Sequence, residues 1–260
     1  MKKVIALVLV FCVLASILLC ACSKNSVAEE TIGIIGAMDN EVDTLKKAAD
    51  IKNSTKISDM EFIEGRIGDK NVVIVKCGMG KVNAGVCAYT LINEFGCDKI
   101  INTGVAGSLD NRIDIGDIVV STDAVQHDFD VSPIGYKKGE IPYTGLYAFK
   151  ADNTLRAAAV KAVKESAPKI KVFEGRVCTG DQFIATTEQR DTITSKFGGL
   201  CCEMEGGAIA QVCYLNKTPY VMIRAISDKA DGSEEVGYAQ FEAQAARNCA
   251  NITLYMIEHM

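Results

Sequence analysis

The chain has 260 residues, 48% of them hydrophobic, enough apolar content to bury one full core. Twenty-eight Lys and Arg against 33 Asp and Glu leave a formal charge of −5, which falls by two to −7 once Lys2 and Lys3 are set aside. No Lys/Arg cluster stands out along the remainder, so nucleic acid is excluded as a partner class.

At the N-terminus Lys2 and Lys3 precede an uncharged apolar run over residues 4–19, then Cys20-Ala21-Cys22 and the polar Ser23-Lys24-Asn25-Ser26. That succession of basic, apolar and cleavage regions is the pattern of an export signal. It divides the chain into a leader over 1–22, a polar linker over 23–30 and a single globular domain over 31–260. Leu19-Cys20-Ala21-Cys22 also resembles a bacterial lipoprotein box, with Cys22, preceded by small Ala21, as the expected lipidated residue. The apolar run is just long enough to cross a bilayer uncleaved, and this remains the alternative. Both readings put the globular part outside the cytoplasm, with membrane contact only through the lipid or the leader.

Thr31-Ile32-Gly33-Ile34-Ile35-Gly36 is a glycine-bounded apolar run and predicts a buried first strand. Asp39 and Asn40 are candidate caps for a helix over 41–49. Strands are expected over 61–67 and 72–77, joined by the turn Gly68-Asp69-Lys70-Asn71. Gly78-Met79-Gly80-Lys81 matches neither dinucleotide nor P-loop spacing. It predicts a tight turn into a helix over 82–95. A strand over 100–103 leads into a glycine loop over 104–108, and another strand is expected over 118–121. Residues 126–150 look like a long loop, a feature of compact domains that is usually functional or an interface. A helix over 153–165, a strand over 172–178 and a helix over 188–197 follow. Two acid-bearing segments, Cys202-Glu203-Met204-Glu205 and Arg224-Ala225-Ile226-Ser227-Asp228, precede a closing helix over 236–259. Alternating strands and helices predict an α/β domain with a mixed sheet covered on both faces.

Three of the 11 cysteines lie in the leader, and the other eight mostly sit in apolar strand or helix patterns as structural thiols. That is unusual for an exported protein in an oxidising compartment. With two histidines, His127 and His259, and no C-x-x-C pair, no metal site is expected. Neither a G-x-S-x-G elbow nor an evident Cys/His pair is present. The acids remain: Glu41, Glu203, Glu205 and Asp228 stand where apolar strands give way to loops or helices. Carboxyl groups converging there can have their pKa values driven apart and form a metal-free hydrolytic site.

Seven segments stand in the order seen in one family: Gly33-Ile34-Ile35-Gly36-Ala37-Met38-Asp39-Asn40-Glu41-Val42, Gly78-Met79-Gly80-Lys81-Val82, Asn102-Thr103-Gly104-Val105-Ala106-Gly107, Gly116-Asp117-Ile118-Val119, Asp181-Gln182-Phe183-Ile184, Glu203-Met204-Glu205 and Arg224-Ala225-Ile226-Ser227-Asp228. Over residues 32–258 the chain resembles the 5′-methylthioadenosine/S-adenosylhomocysteine nucleosidases. The resemblance implies the nucleoside phosphorylase/hydrolase fold, a homodimer, adenine nucleosides as substrates and no cofactor. It makes Asp228 the general acid at adenine N7, with a raised pKa, and Glu41 the residue orienting the attacking water. Glu205 would bind the ribose hydroxyls beside Met204, with Arg224 nearby. Phe183 would stack on adenine and the Ile184 backbone would read its polar edge. Ala37, Met38, Met79, Val105, Gly107 and Tyr238 would line the pocket. Val131, Ile134, Tyr136 and Pro142 would close the 5′-substituent pocket of the partner subunit.

Those residue types suit cleavage of an N-glycosidic bond, because protonating N7 makes adenine a neutral leaving group while carboxylates support the cationic sugar. Val105 departs from the serine of many members, so a side-chain hydrogen bond near the acid is expected to be missing. Tyr238 replaces a common phenylalanine, and the leader departs from a cytosolic family. Two other functions compete: a phosphorylase of the same fold, which would need a cationic phosphate site, and a nucleoside-binding lipoprotein without catalysis. The 5′ group is left open among methylthio, homocysteinyl, 5′-deoxy and aminodeoxyfutalosine-type substituents.

Overall fold

The computed structural model describes residues 29–231 and 234–260, with backbone alone at 234–240. The leader, the linker up to residue 28, Cys22 and the Tyr238 side chain lie outside the described residues. Among the described residues ten strands form one mixed sheet. The parallel strands β1 (Thr31–Gly36), β5 (Lys99–Ser108) and β10 (Tyr220–Asp228) lie side by side. Their runs are almost wholly buried, as expected of strands covered on both faces.

On one side of β1 the sheet continues through β4 (Lys70–Lys76), β3 (Met60–Ile67) and β2 (Asp50–Ile57). On the other, β10 pairs with β6 (Ile118–Gln126), which pairs with β8 (Val172–Thr179), then β9 (Cys201–Glu203), which returns to β5. These five strands therefore close into a ring. The two-residue β7 (Phe149–Lys150) adds to β6.

Helices α1 (Asp39–Ala48), α3 (Asn153–Ser166) and α6 (Glu234–His259) bury one face of the sheet through Val42, Leu45, Leu155, Val163, Cys249 and Met256. On the other face α2 (Lys81–Asn93) and α5 (Gly206–Asn216) pack together through Ala84, Cys87, Leu91, Ile209 and Cys213. Helix α4 (Thr187–Phe197) closes a smaller cluster with Ile193 and Phe197. All eight cysteines among the described residues are buried and unpaired. No described helix is long and apolar enough to cross a membrane.

Several predicted boundaries are corrected. Helix α1 begins at Asp39, so Asp39 and Asn40 lie in its first turn and Met38 takes the cap position. The segment expected as a loop over 104–108 is the end of β5, and β6 runs five residues past the expected Ser121. Strand β2 is not anticipated in the sequence. It is held by a two-residue hairpin, Ile57 opposite Met60, whose central residues Ser58 and Asp59 have φ of 50° and 63°. Two positive φ values are what a tight hairpin of this twist needs, here supplied without glycine.

Candidate active site

The carboxyl ends of β1, β5 and β10 lie together because the strands are parallel, and open sheets bind ligands at such ends. Strand β9, antiparallel to β5, brings Glu203 and the turn to Glu205 to the same place. There they line a cleft open to solvent. Its lining includes Ala37, Met38, Glu41, Met79, Val105, Gly107, Phe183, Ile184, Met204, Glu205 and Asp228, all expected from the family resemblance to share one site. Ala106, Gln182, Cys202, Glu203 and Ser227 complete it.

Glu41 turns back over the start of its own helix. Its Oε2 accepts from the N–H groups of Ala37 (2.6 Å) and Met38 (2.9 Å), and Oε1 accepts from Val105 N–H at 2.9 Å. The Met38 contact is the return half of a capping box, satisfying the N-cap N–H at the start of α1. Burial raises the Glu41 pKa despite Arg224 and these three donors. The chain can approach so closely because residue 104 is glycine: a Cβ there would collide with Glu41 Oε1. Gly107 does the same for Asp228, whose Oδ1 would lie 2.7 Å from a Cβ.

Asp228 ends β10. Ser227 Oγ donates to its Oδ2 at 2.8 Å and Ala230 N–H to its Oδ1 at 3.0 Å. The substitution of Val105 for serine therefore leaves Asp228 with a hydroxyl donor, supplied by its own neighbour in the chain. The role of Val105 toward Glu41 is carried by its backbone, which the side chain does not alter.

Glu205 Oε1 accepts from Gly80 N–H at 2.8 Å. Burial and the neighbouring Glu203 carboxylate push its pKa up to about 8, against Gly80 N–H and Arg224. Arg224 does not line the cleft; it lies beneath it, 2% exposed, with Nη2 2.6 Å from Glu203 Oε2 and also donating to Asn102 Oδ1. Burial alone would lower its pKa, but Glu203, Glu41 and Glu205 together hold it above the ordinary value. Glu203 further accepts from Gly206 N–H (2.7 Å), Glu205 N–H (3.1 Å) and Thr179 Oγ1. It is the acid that the sequence singled out without a role, and it ties Arg224 to the Glu205 turn. Ser227 also has a place in the site that could have been read from its position beside Asp228.

Val131, Ile134, Tyr136 and Pro142 lie within residues 127–148 and do not line this cleft. Among the described residues no group of three or more His, Cys, Asp or Glu could hold a metal ion.

The phosphorylase superfamily model matches residues 31–258. The 5′-methylthioadenosine/S-adenosylhomocysteine nucleosidase of Staphylococcus carnosus is 39% identical over 230 residues, 88% of this chain and 100% of the relative. The nucleosidase of that name from Neisseria meningitidis, solved with methylthio-immucillin-A, superposes with a TM-score of 0.85 at 34% identity, covering 89% of this chain and 100% of that one. The Colwellia psychrerythraea nucleosidase, solved with adenine, gives 0.84 at 38% identity over 88% and 95%. The chain belongs to the phosphorylase superfamily and, within it, to the 5′-methylthioadenosine/S-adenosylhomocysteine nucleosidases.

Proposed function

We propose that the chain hydrolyses the N-glycosidic bond of 5′-methylthioadenosine and S-adenosylhomocysteine, releasing adenine and the 5′-substituted ribose. One observation carries this reading: Glu41, Glu205 and Asp228 converge on a cleft whose described lining contains no Lys, Arg or His. A phosphate nucleophile would face carboxylates without a cation in that lining, whereas neutral water meets no such repulsion. The ligands bound in the solved relatives, methylthio-immucillin-A and adenine, support the same substrate class.

In this scheme Phe183 and Ile184 hold the adenine and Asp228 gives its proton to N7, so the base leaves neutral. Ser227 and the Ala230 amide keep the Asp228 carboxyl aimed. Glu41, fixed by three backbone amides, orients water toward the anomeric carbon. Ionised Glu205 binds the ribose hydroxyls and supports the developing positive charge on the sugar. The purified chain, with phosphate omitted and a chelator present, is expected to release adenine from 5′-methylthioadenosine. Asp228→Asn is expected to lose at least about 10²-fold in kcat, the scale of general acid catalysis, while still binding the nucleoside. Strict phosphate dependence, or a wild-type rate in Asp228→Asn, overturns the scheme.

The active unit is a homodimer in which Val131, Ile134, Tyr136 and Pro142 close the partner's 5′ pocket; the exposed position of Ile134 supports this. Residues 1–22 act as a lipoprotein-type leader that anchors the domain outside the cytoplasm through Cys22. Cys22→Ser is then expected to abolish lipid incorporation and leave the precursor unprocessed or released. Unchanged mass and membrane association in that variant would favour an uncleaved helix instead.

A further inference from the structure

Lys81 and Asp128 both carry charges that the scheme above does not use, and neither lines the cleft. Lys81 Nζ lies 2.6 Å from Asp128 Oδ1, with both side chains under one-fifth exposed (18% and 19%), so water screens the pair far less than a surface bridge. Asp128 Oδ2 accepts from Asp181 N–H at 2.9 Å, and Asp181 Oδ1 accepts from Lys81 N–H at 2.8 Å. Three parts of the chain thus meet in a closed triangle: the segment after β6, the segment after β8 and the start of α2.

Two arms of the cleft extend from this triangle. Asp181 is followed by Phe183 and Ile184, which form the base side. Lys81 is preceded by Gly80, whose N–H holds Glu205, and by Met79, another lining residue. Gly80 has φ of 96°, a conformation glycine adopts without strain, and a Cβ there would crowd Asp181 Oδ1 at 3.2 Å.

We propose that Lys81 and Asp128 are positioning residues: with Asp181 they clamp the loop carrying Phe183 and Ile184 to the turn holding Glu205, fixing the base side of the cleft against its ribose side. The inference rests on the nucleosidase reading of the cleft. Its physical basis is that N7 protonation and support of the sugar cation must occur in one bound geometry, and a misplacement of about 1 Å can cost ~10²-fold in rate. Burial alone would raise the Asp128 pKa, but Lys81 and the Asp181 amide outweigh it and hold the carboxylate below its ordinary value.

The test uses Asp128→Asn, which keeps an acceptor for Asp181 N–H but loses the ion pair, and Lys81→Met, which removes only the ammonium. Each is expected to lower kcat/KM about tenfold and to weaken adenine binding measured by calorimetry. The double variant should be little worse than either single one, because both break one contact. The rising limb of the kcat/KM pH profile should move to higher pH. With Gly80 N–H withdrawn, burial, Glu203 and Glu41 oppose ionisation of Glu205 and Arg224 alone favours it.

A role confined to folding predicts something else: a lower Tm and fewer active molecules, with pH limb and adenine affinity per active site unchanged. That result, or wild-type values throughout, overturns the clamp. If Asp128→Asn does not fold, Lys81→Met decides by the same readings. If the unaltered chain releases no adenine, the nucleosidase reading fails, while the adenine affinities still decide whether the clamp shapes the base side.

Discussion

Glu203, Glu205 and Glu41 all face the single buried guanidinium of Arg224, and three ionised carboxylates around one cation leave uncompensated charge out of water. Glu203 holds Arg224 directly and collects two amide donors besides. Accordingly Glu205 stands near pKa 8 and Glu41 above its ordinary range. If ionised Glu205 supports the sugar cation, kcat/KM should rise with pH through about 8 in the free enzyme. The stability consequence has the opposite sense. A carboxyl group raised from 4.5 to about 8 contributes stability that is complete below 4.5 and is lost as pH rises through 8. Glu205→Gln removes that loss, so its Tm relative to the unaltered chain should climb as pH rises from about 4.5 to 8 and level off above, while the rising kinetic limb disappears. Melting curves and pH profiles of the two proteins check this; a Tm difference that moves against the Gln variant on alkalisation would contradict it.

At the scale of elements, what was legible followed from periodicity and glycine. The run Thr31–Gly36 and the helices at 81–93, 153–166 and 187–197 stand within a few residues of their expected places, because glycine-bounded apolar runs and turn residues mark where elements begin and end. Strand β2 was not legible: its sequence Asp-Ile-Lys-Asn-Ser-Thr-Lys-Ile is polar and exposed, and its hairpin turn lacks glycine. Gly104 to Ser108 looked like a loop because glycine breaks a strand pattern, yet the strand continues there so that two carboxylates can approach the backbone. The closure of the ring through β10 and β5 pairs residues about 120 apart in the chain, which no local pattern encodes. The convergence of Glu41, Glu205 and Asp228 was expected from motif order, and the cleft holds all three. The placement of Arg224 beneath Glu203, and the Lys81–Asp128–Asp181 triangle, depend on long-range geometry and had no local signature.

For the whole molecule, an exposed apolar stripe follows from how α2 and α5 pack. Val82, Val86 and Tyr89 recur at helical spacing and stay exposed, Val82 at 78%, while the adjoining α5 exposes Tyr214 and Leu215. A stripe of that kind on a folded domain marks an interaction surface. It continues into Met79, 63% exposed, which also lines the cleft, so whatever covers the stripe also borders the site. The long segment over 127–148 exposes Ile134 and Tyr143 without sending Val131, Ile134, Tyr136 or Pro142 into its own cleft. A second copy seated on this face would bury the stripe and receive that segment, as proposed for the homodimer. Sedimentation velocity should then find a dimer at micromolar concentration. Val82→Glu combined with Tyr89→Glu should shift it to monomer, since a carboxylate buried at an interface without a partner is strongly unfavourable. The monomer should keep its fold and lose affinity for 5′-methylthioadenosine more than for adenine, because the 5′ substituent alone would lack its wall. A fully active monomer of the unaltered chain, or a dimer unaffected by the two charges, would place the 5′ pocket within one protomer.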